Sequence, residues 1–207
     1  MKEVYSIFVE GVADKRFVEQ LIKFVFDADV PPGSVIVTQG YASLTKSSKI
    51  QTYSNLMKRT SDEGGVNLVI FDGDNDIESR RMQLLDWKKA NNVDFELFLL
   101  PDNTRNGELE DLLVQIINPA NQPVMRCWDD YESSLKQVIL PWKSGGLTLP
   151  AKKTRIYAYL EALLGSSRSE KDKIKEINRD YLNKDFWNLD ADALSALIHF
   201  LKMHLLA

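Results

Sequence analysis

The chain has 207 residues, 44% of them hydrophobic, and a formal net charge of −4, which is enough for one sizeable core or a core with a helical appendage. No apolar run approaches the roughly 18 residues needed to span a bilayer, and the single cysteine, Cys127, excludes internal disulfides and multi-thiolate metal sites. A reducing cytoplasm fits that cysteine usage, and a membrane location is not expected.

Val4–Val9 reads as a short apolar first strand. The opening MKEVYSIFVEG has too short an apolar stretch and too early a Glu for a secretory signal. Gly11 and Asp14 open an amphipathic helix with Phe17, Leu21, Phe24 and Val25 at helical spacing, and Asp14 suits its N-cap. Pro31-Pro32-Gly33 ends that unit, Val35–Thr38 is a β-branched second strand, and Gly40 closes it. A helix is expected across about Ser47–Lys58, then a turn at Glu63-Gly64-Gly65. Leu68–Phe71 is an unbroken apolar strand running into Asp72-Gly73-Asp74, followed by a helix over Ile77–Ala90 and a strand over Phe95–Leu100.

Beyond Pro101 the alternation stops. Helices are expected at Leu109–Ile117, Arg126–Leu140, Thr154–Leu164, Glu170–Asn183 and Ala191–Leu206, the last capped by Asp190. Cys127 falls in the second of these and reads as a small buried hydrophobe. The division is thus an α/β core over residues 1–115 and a helical extension over 116–207 that packs on it. Charge is uneven: the balance is −7 over residues 1–142, +5 over 143–184 and −2 over the remainder. The chain as a whole is no generic nucleic-acid binder, and the third quarter is either a basic face or a helix surface whose charges offset one another.

Strands separated by helices imply crossover connections and a mainly parallel sheet covered on both faces. Ligands of such sheets sit outside the carboxyl ends of the strands. The positions after Val9, Phe71 and Leu100 all carry acids. Asp72 and Asp74 share strand parity, so an extended exit points both the same way. Two carboxylates about 5 Å apart repel by roughly 3 kcal/mol at an effective dielectric near 20. Mg2+ or Mn2+ is the natural counter-charge, since hard cations prefer carboxylate oxygens. Asp76 either joins the cluster or caps the following helix. A calcium loop counted from Asp72 would need Glu at its twelfth position, where this chain has Gln83.

Val9-Glu10-Gly11 with Asp14 behind it, followed later by a strand ending in Asp72-Gly73-Asp74, resembles the toprim domain of topoisomerases, bacterial primases and nucleases of the overcoming-lysogenization-defect type. The run Leu100-Pro101-Asp102-Asn103 through Asn106-Gly107-Glu108-Leu109-Glu110-Asp111-Leu112-Leu113, with Phe186-Trp187-Asn188-Leu189-Asp190 near the end, is similar to a toprim-related family of bacterial proteins. The resemblance implies metal-dependent phosphoryl transfer on nucleic acid, with a nuclease as the first expectation. Glu10 would serve as metal ligand or general acid/base, and Asp72 and Asp74 would bind Mg2+. Glu110 or Asp111 would complete a second metal position, unless these acids simply favour the first turn of their helix.

Cations for the transition state are sought among Arg105, Lys152, Lys153 and Arg155, with Lys153 and Arg105 assigned to phosphate. The alternative is a non-catalytic module for nucleic acid or a protein partner. An aspartate-based phosphoacceptor is a third reading, disfavoured because no Lys closes a late strand. A Walker A loop, Ser/His/Asp spacing and Cys/His spacing are all absent from the sequence.

Overall fold

The structure, a computed structural model, describes residues 1–46 and 49–206. Strands β1 (Tyr5–Val9), β2 (Val35–Val37), β3 (Val66–Asp72) and β4 (Glu96–Leu100) form an all-parallel sheet in the order β2-β1-β3-β4. The expected α/β class and parallel sheet are therefore present. Helix α1 (Val12–Phe26) returns the chain from β1 to β2. Helices α2 (Tyr41–Lys46) and α3 (Ile50–Asp62) lead to β3, and α4 (Ile77–Asn91) leads to β4. The expected helix start at Ser47 lies outside the described residues.

Strand side chains alternate between two cores. Ile7, Val9, Leu68, Ile70, Phe98 and Leu100 face α1 and the C-terminal helices. Phe8, Val69, Phe71 and Leu99 face Leu44, Tyr53 and Met57 of the helices before β3, with Ile77, Leu84 and Trp87 of α4. Burial on both faces explains why these strands read as continuous apolar runs. From β1 the chain steps to β2 on one side, and β3 and β4 lie on the other. The direction of winding thus reverses between β1 and β3, and the crevice above that reversal is where such folds bind ligands. Val9 pairs with Ile70 and Asp72 with Leu100, so β3 and β4 run two residues past the end of β1.

The remainder is α5 (Leu109–Gln115), α6 (Gln122–Gln137), α7 (Lys152–Leu164), α8 (Arg168–Ile174) and α9 (Ser195–Leu205). Ile156, Tyr159, Leu160, Trp187, Leu197 and Leu201 from this region share one core with Ile7, Phe17 and Leu21. No helix among the described residues is long and apolar enough to cross a membrane.

Three local expectations need correction. The continuous helix over Glu170–Asn183 is instead α8, a 3-10 turn at Glu176–Asn178 and an irregular segment. Side chains of α1 capture that segment. The Arg179 carbonyl accepts from Arg16 Nε (2.8 Å) and Gln20 Nε2 (2.9 Å), and the Tyr181 amide donates to Gln20 Oε1 (2.5 Å). These tertiary bonds take the place of helical ones. Asp190 caps nothing, because a 3-10 turn at Asp192–Leu194 precedes α9. Cys127 is exposed, since α6 is peripheral and buries only Met125.

Candidate functional site

Glu10 follows β1 directly and turns back over the ends of its neighbours. Its Oε1 accepts from the Asp72 amide (3.2 Å) and its Oε2 from the Tyr41 amide (3.3 Å). Burial raises its pKa; Arg80 opposes the rise and Asp74 adds to it. Asp72 closes β3, and its Oδ1 accepts from the Leu109 amide at the start of α5 (2.9 Å). Burial, then the charges of Asp14 and Glu10, push its carboxyl up to about 9.

Asp14 is the third residue of α1 rather than its cap. Gly11 occupies the N-cap position, and its amide donates to Asp14 Oδ2 (2.9 Å). The other oxygen, Oδ1, is buried without a partner. Burial, with smaller contributions from Glu10 and Glu110, brings Asp14 to about 7. Glu110 lies in the first turn of α5; burial raises its pKa, Glu108 adds to the rise, and Lys153 and Arg179 oppose it. Glu10, Asp14, Asp72 and Glu110 therefore form one electrostatic group drawn from β1, α1, β3 and α5. None of the four is adjacent to another in sequence.

The turn after β3 parts the aspartate pair. Gly73 donates to the Leu100 carbonyl (3.0 Å), and a Cβ added there would lie 2.8 Å from that oxygen. Asp74 then adopts a left-handed conformation (φ 49°), and its amide bonds the Gly107 carbonyl (2.9 Å). Strand parity stops at that point, so Asp74 pairs with Arg80 while Asp72 faces α5. Gly73→Ala is expected to cost about 1–3 kcal/mol and to lower the urea midpoint accordingly, because the opposing atom is backbone and cannot swing away.

The remaining candidates have structural partners. Asp76 caps α4 by accepting from the Ser79 amide (3.0 Å). Asp111 accepts from the Glu108 amide and from Lys152 (2.8 Å each). Lys153 pairs with Glu176, Arg155 with Asp129, and Arg105 with Asp102. Much of the positive block is offset in the same way, as in Lys171–Glu161 and Lys175–Asp172.

Two cations escaped the sequence reading. Arg80 reaches back from the second turn of α4 onto Asp74, and its guanidinium lies 4.2 Å above the Tyr41 ring. Its signal was a helix starting right after the acidic turn. Arg179 is 1% exposed although it is charged. Its Nε donates to the Ile174 carbonyl (3.0 Å), its guanidinium stacks on Tyr157 (4.7 Å), and its terminal nitrogens have no hydrogen-bond partner. Nothing local in the sequence marks it, because 165 residues separate it from Asp14.

Hard carboxylate oxygens and the orphaned Asp14 Oδ1 suit a divalent ion chemically. The arrangement is not an ion cage, however. Among the described residues no three such side chains stand close enough to hold a metal. Asp72 is turned to the Leu109 amide and Asp74 to Arg80. An apolar cavity of about 340 Å3, bounded by Met125, Trp128, Tyr131 and Tyr159, involves none of these acids.

A family model described as "protein of unknown function (DUF3226)" matches residues 4–205. No curated protein and no solved structure matches the chain.

Proposed function

We propose that this chain, which belongs to the DUF3226 family, is a Mg2+- or Mn2+-dependent phosphoryl-transfer protein acting on nucleic acid, in the manner of a toprim nuclease. The observation that carries the reading is the crowding of Glu10, Asp14, Asp72 and Glu110 above the winding reversal between β1 and β3. Burial, with repulsion from Asp14 and Glu10 added to it, pushes Asp72 to about 9, and a positive partner would relieve both.

Glu10, Asp72 and Asp74 would hold the ion, with Glu110 at a second position. A bound ion supplies charge neutralisation at a phosphodiester and a more acidic water. The chain's own part is to fix the carboxylates. The Asp72 and Tyr41 amides orient Glu10, and the start of α5 orients Asp72. Lys153 and Arg105, proposed for phosphate, would each exchange a carboxylate partner for a phosphate oxygen.

Millimolar Mg2+ or Mn2+ is expected to raise the melting temperature of the wild type and to leave that of Asp74→Ala unchanged. Cleavage of single- or double-stranded oligonucleotides with Mn2+ is expected to fall at least a hundredfold, as an order of magnitude, in Glu10→Gln. A wild type that ignores both ions in a melting assay overturns the reading.

A second reading, a non-catalytic nucleic-acid- or protein-binding module, draws on one observation. Glu10 and Asp72 already accept backbone amides, so these acids also do structural work. Binding without cleavage across a broad oligonucleotide panel would favour it.

A further inference from the structure

Helix α6 carries an apolar face that the fold leaves largely uncovered. Val124, Trp128, Tyr131, Leu135 and Val138 recur at helical spacing along it, yet only Met125 of the helix is buried. The two halves of that stripe differ. Helix α7 lies against the first half, where the Tyr159 hydroxyl accepts from Asn121 (2.9 Å) and Arg155 donates to Asp129 (2.6 Å). Between these helices is the cavity of about 340 Å3, with Val124, Cys127, Trp128 and Tyr131 on one side and Ala158 and Tyr159 on the other. Its polar groups are already satisfied: Trp128 Nε1 donates to Glu132 (2.8 Å), and the Tyr159 hydroxyl to the Phe186 carbonyl (2.7 Å). The groove therefore offers aromatic and aliphatic surface. The second half of the stripe, Leu135 and Val138, joins neither core. Beyond it the chain presents Ile139 at 90% exposure and Trp142 at 79%. The stripe, Ile139 and Trp142 together expose on the order of 700 Å2, close to the roughly 800 Å2 that each partner gives to a standard interface. An apolar patch of that extent marks a contact surface.

We propose that this face joins two copies of the chain in a two-fold dimer: α6 packs antiparallel on α6 of a second copy, and Ile139 and Trp142 of each copy cover the groove of the other. The spacing supplies the fit. From Trp128 to Val138 the stripe steps by three, four and three residues, so it reads the same in both directions about the height of Ser133. An antiparallel pairing centred there sets Trp128 against Val138, and Tyr131 against Leu135, of the second copy. The extended backbone at Val138 (φ −75°, ψ 126°) then carries Ile139 and Trp142 towards Cys127 and Val124 of the second copy, where the groove opens. A two-fold contact is self-complementary, so each copy gives one apolar knob and offers one hole. Charge agrees with the direction. Residues 122–134 hold Asp129, Asp130 and Glu132 against Arg126, a net −2, and residues 135–143 hold Lys136 and Lys143, a net +2. Antiparallel packing brings the acidic half of one helix beside the basic half of the other; parallel packing sets like against like. The same three acids make this face a poor fit for nucleic acid. The interface lies on elements other than those of the acidic group, so it stands whatever that group binds.

The test is sedimentation of the full chain across a range of concentrations, with Cys127 as a built-in reporter of register. The wild type is expected to be a dimer with a dissociation constant of about 10 µM or tighter. The double variant Ile139→Ser, Trp142→Ser should weaken association at least tenfold, as an order of magnitude, and keep the melting temperature of the monomer, since both side chains are exposed. Ile177→Ser removes another exposed apolar side chain and should leave association unchanged. Ile139→Cys should be joined to Cys127 of the second copy by a short bis-maleimide, whereas Met203→Cys should not be joined. A wild type that stays monomeric up to roughly 100 µM overturns the proposal, given the micromolar affinity that such an area supports. A dimer that survives the double variant overturns this face as its interface. Cross-linking of the wild type through Cys127 alone means parallel helices and overturns the arrangement, as does a failure of Ile139→Cys to cross-link. A monomer whose groove takes up an apolar dye, lost in Trp128→Ser, assigns the groove to another occupant and overturns the second copy.

Discussion

At pH 8 and with divalent ions chelated, Asp72→Asn is expected to be more stable than the wild type by roughly 2 to 4 kcal/mol. Asp72 rises from its ordinary 3.8 to about 9, and Asp14 from 3.8 to about 7. A carboxyl with a raised folded-state pKa keeps its proton at a pH where the unfolded chain has released it. Its contribution to stability is complete below about pH 4 and disappears as pH climbs towards the folded value. Wild-type stability should therefore fall from about pH 4 to about pH 9, with the Asp14 part of the slope ending near 7.

Asparagine keeps the oxygen that the Leu109 amide needs and removes the ionisation, so the Asp72 part of that slope should vanish. The full linkage would be several kcal/mol; partial solvent contact at Asp72 reduces it to the range given. Millimolar Mg2+ should reverse the order, stabilising the wild type and leaving Asp72→Asn behind. Urea melts at pH 5 and pH 8, with and without the ion, check all four corners. A wild type more stable at pH 8 than at pH 5 in chelator would show that the carboxylates are not crowded.

Trp187→Ala carries the second large effect, a loss of about 3 to 5 kcal/mol. Trp187 is 2% exposed, with its ring 5.2 Å from Tyr181 and 5.7 Å from Tyr159. Its segment is tied to the end of α5: the Asn188 amide donates to the Ile116 carbonyl (2.6 Å), and the Asn118 amide to the Phe186 carbonyl (2.9 Å). Because the C-terminal helices and one sheet face share a single core, wild type and variant should both unfold in one transition by circular dichroism. Two separate transitions would mean that the helices fold independently of the sheet.

The alternation of apolar strands with amphipathic helices up to Leu100 made the parallel sheet legible, since burial on both faces leaves unbroken runs such as Leu68–Phe71. Acids after β1 and β3 were legible for the same reason: the end of a buried strand is a place where a charge must be explained. Short-range signals left Asp76 between the acidic cluster and a helix cap, and the structure makes it the cap of α4. They misjudged Asp14, whose carboxylate bonds the Gly11 amide from the third helical position, and Asp190, which a 3-10 turn displaces. Segment 175–183 misled because its helical propensity is weaker than the bonds that Arg16 and Gln20 offer its backbone.

Sequence by itself determined that Glu10, Asp72 and Asp74 lie at one edge of a parallel sheet, because strand period and crossover connections leave no other place for them. Only the tertiary structure decided their partners. The left-handed backbone at Asp74 breaks the parity that would align it with Asp72. Asp14 and Glu110 join the group through the packing of α1 and α5. Arg80 and Arg179 arrive by side-chain reach and by a contact spanning most of the chain. Local spacing records which face a residue points to; electrostatic partnership depends on distances in space, which spacing does not contain.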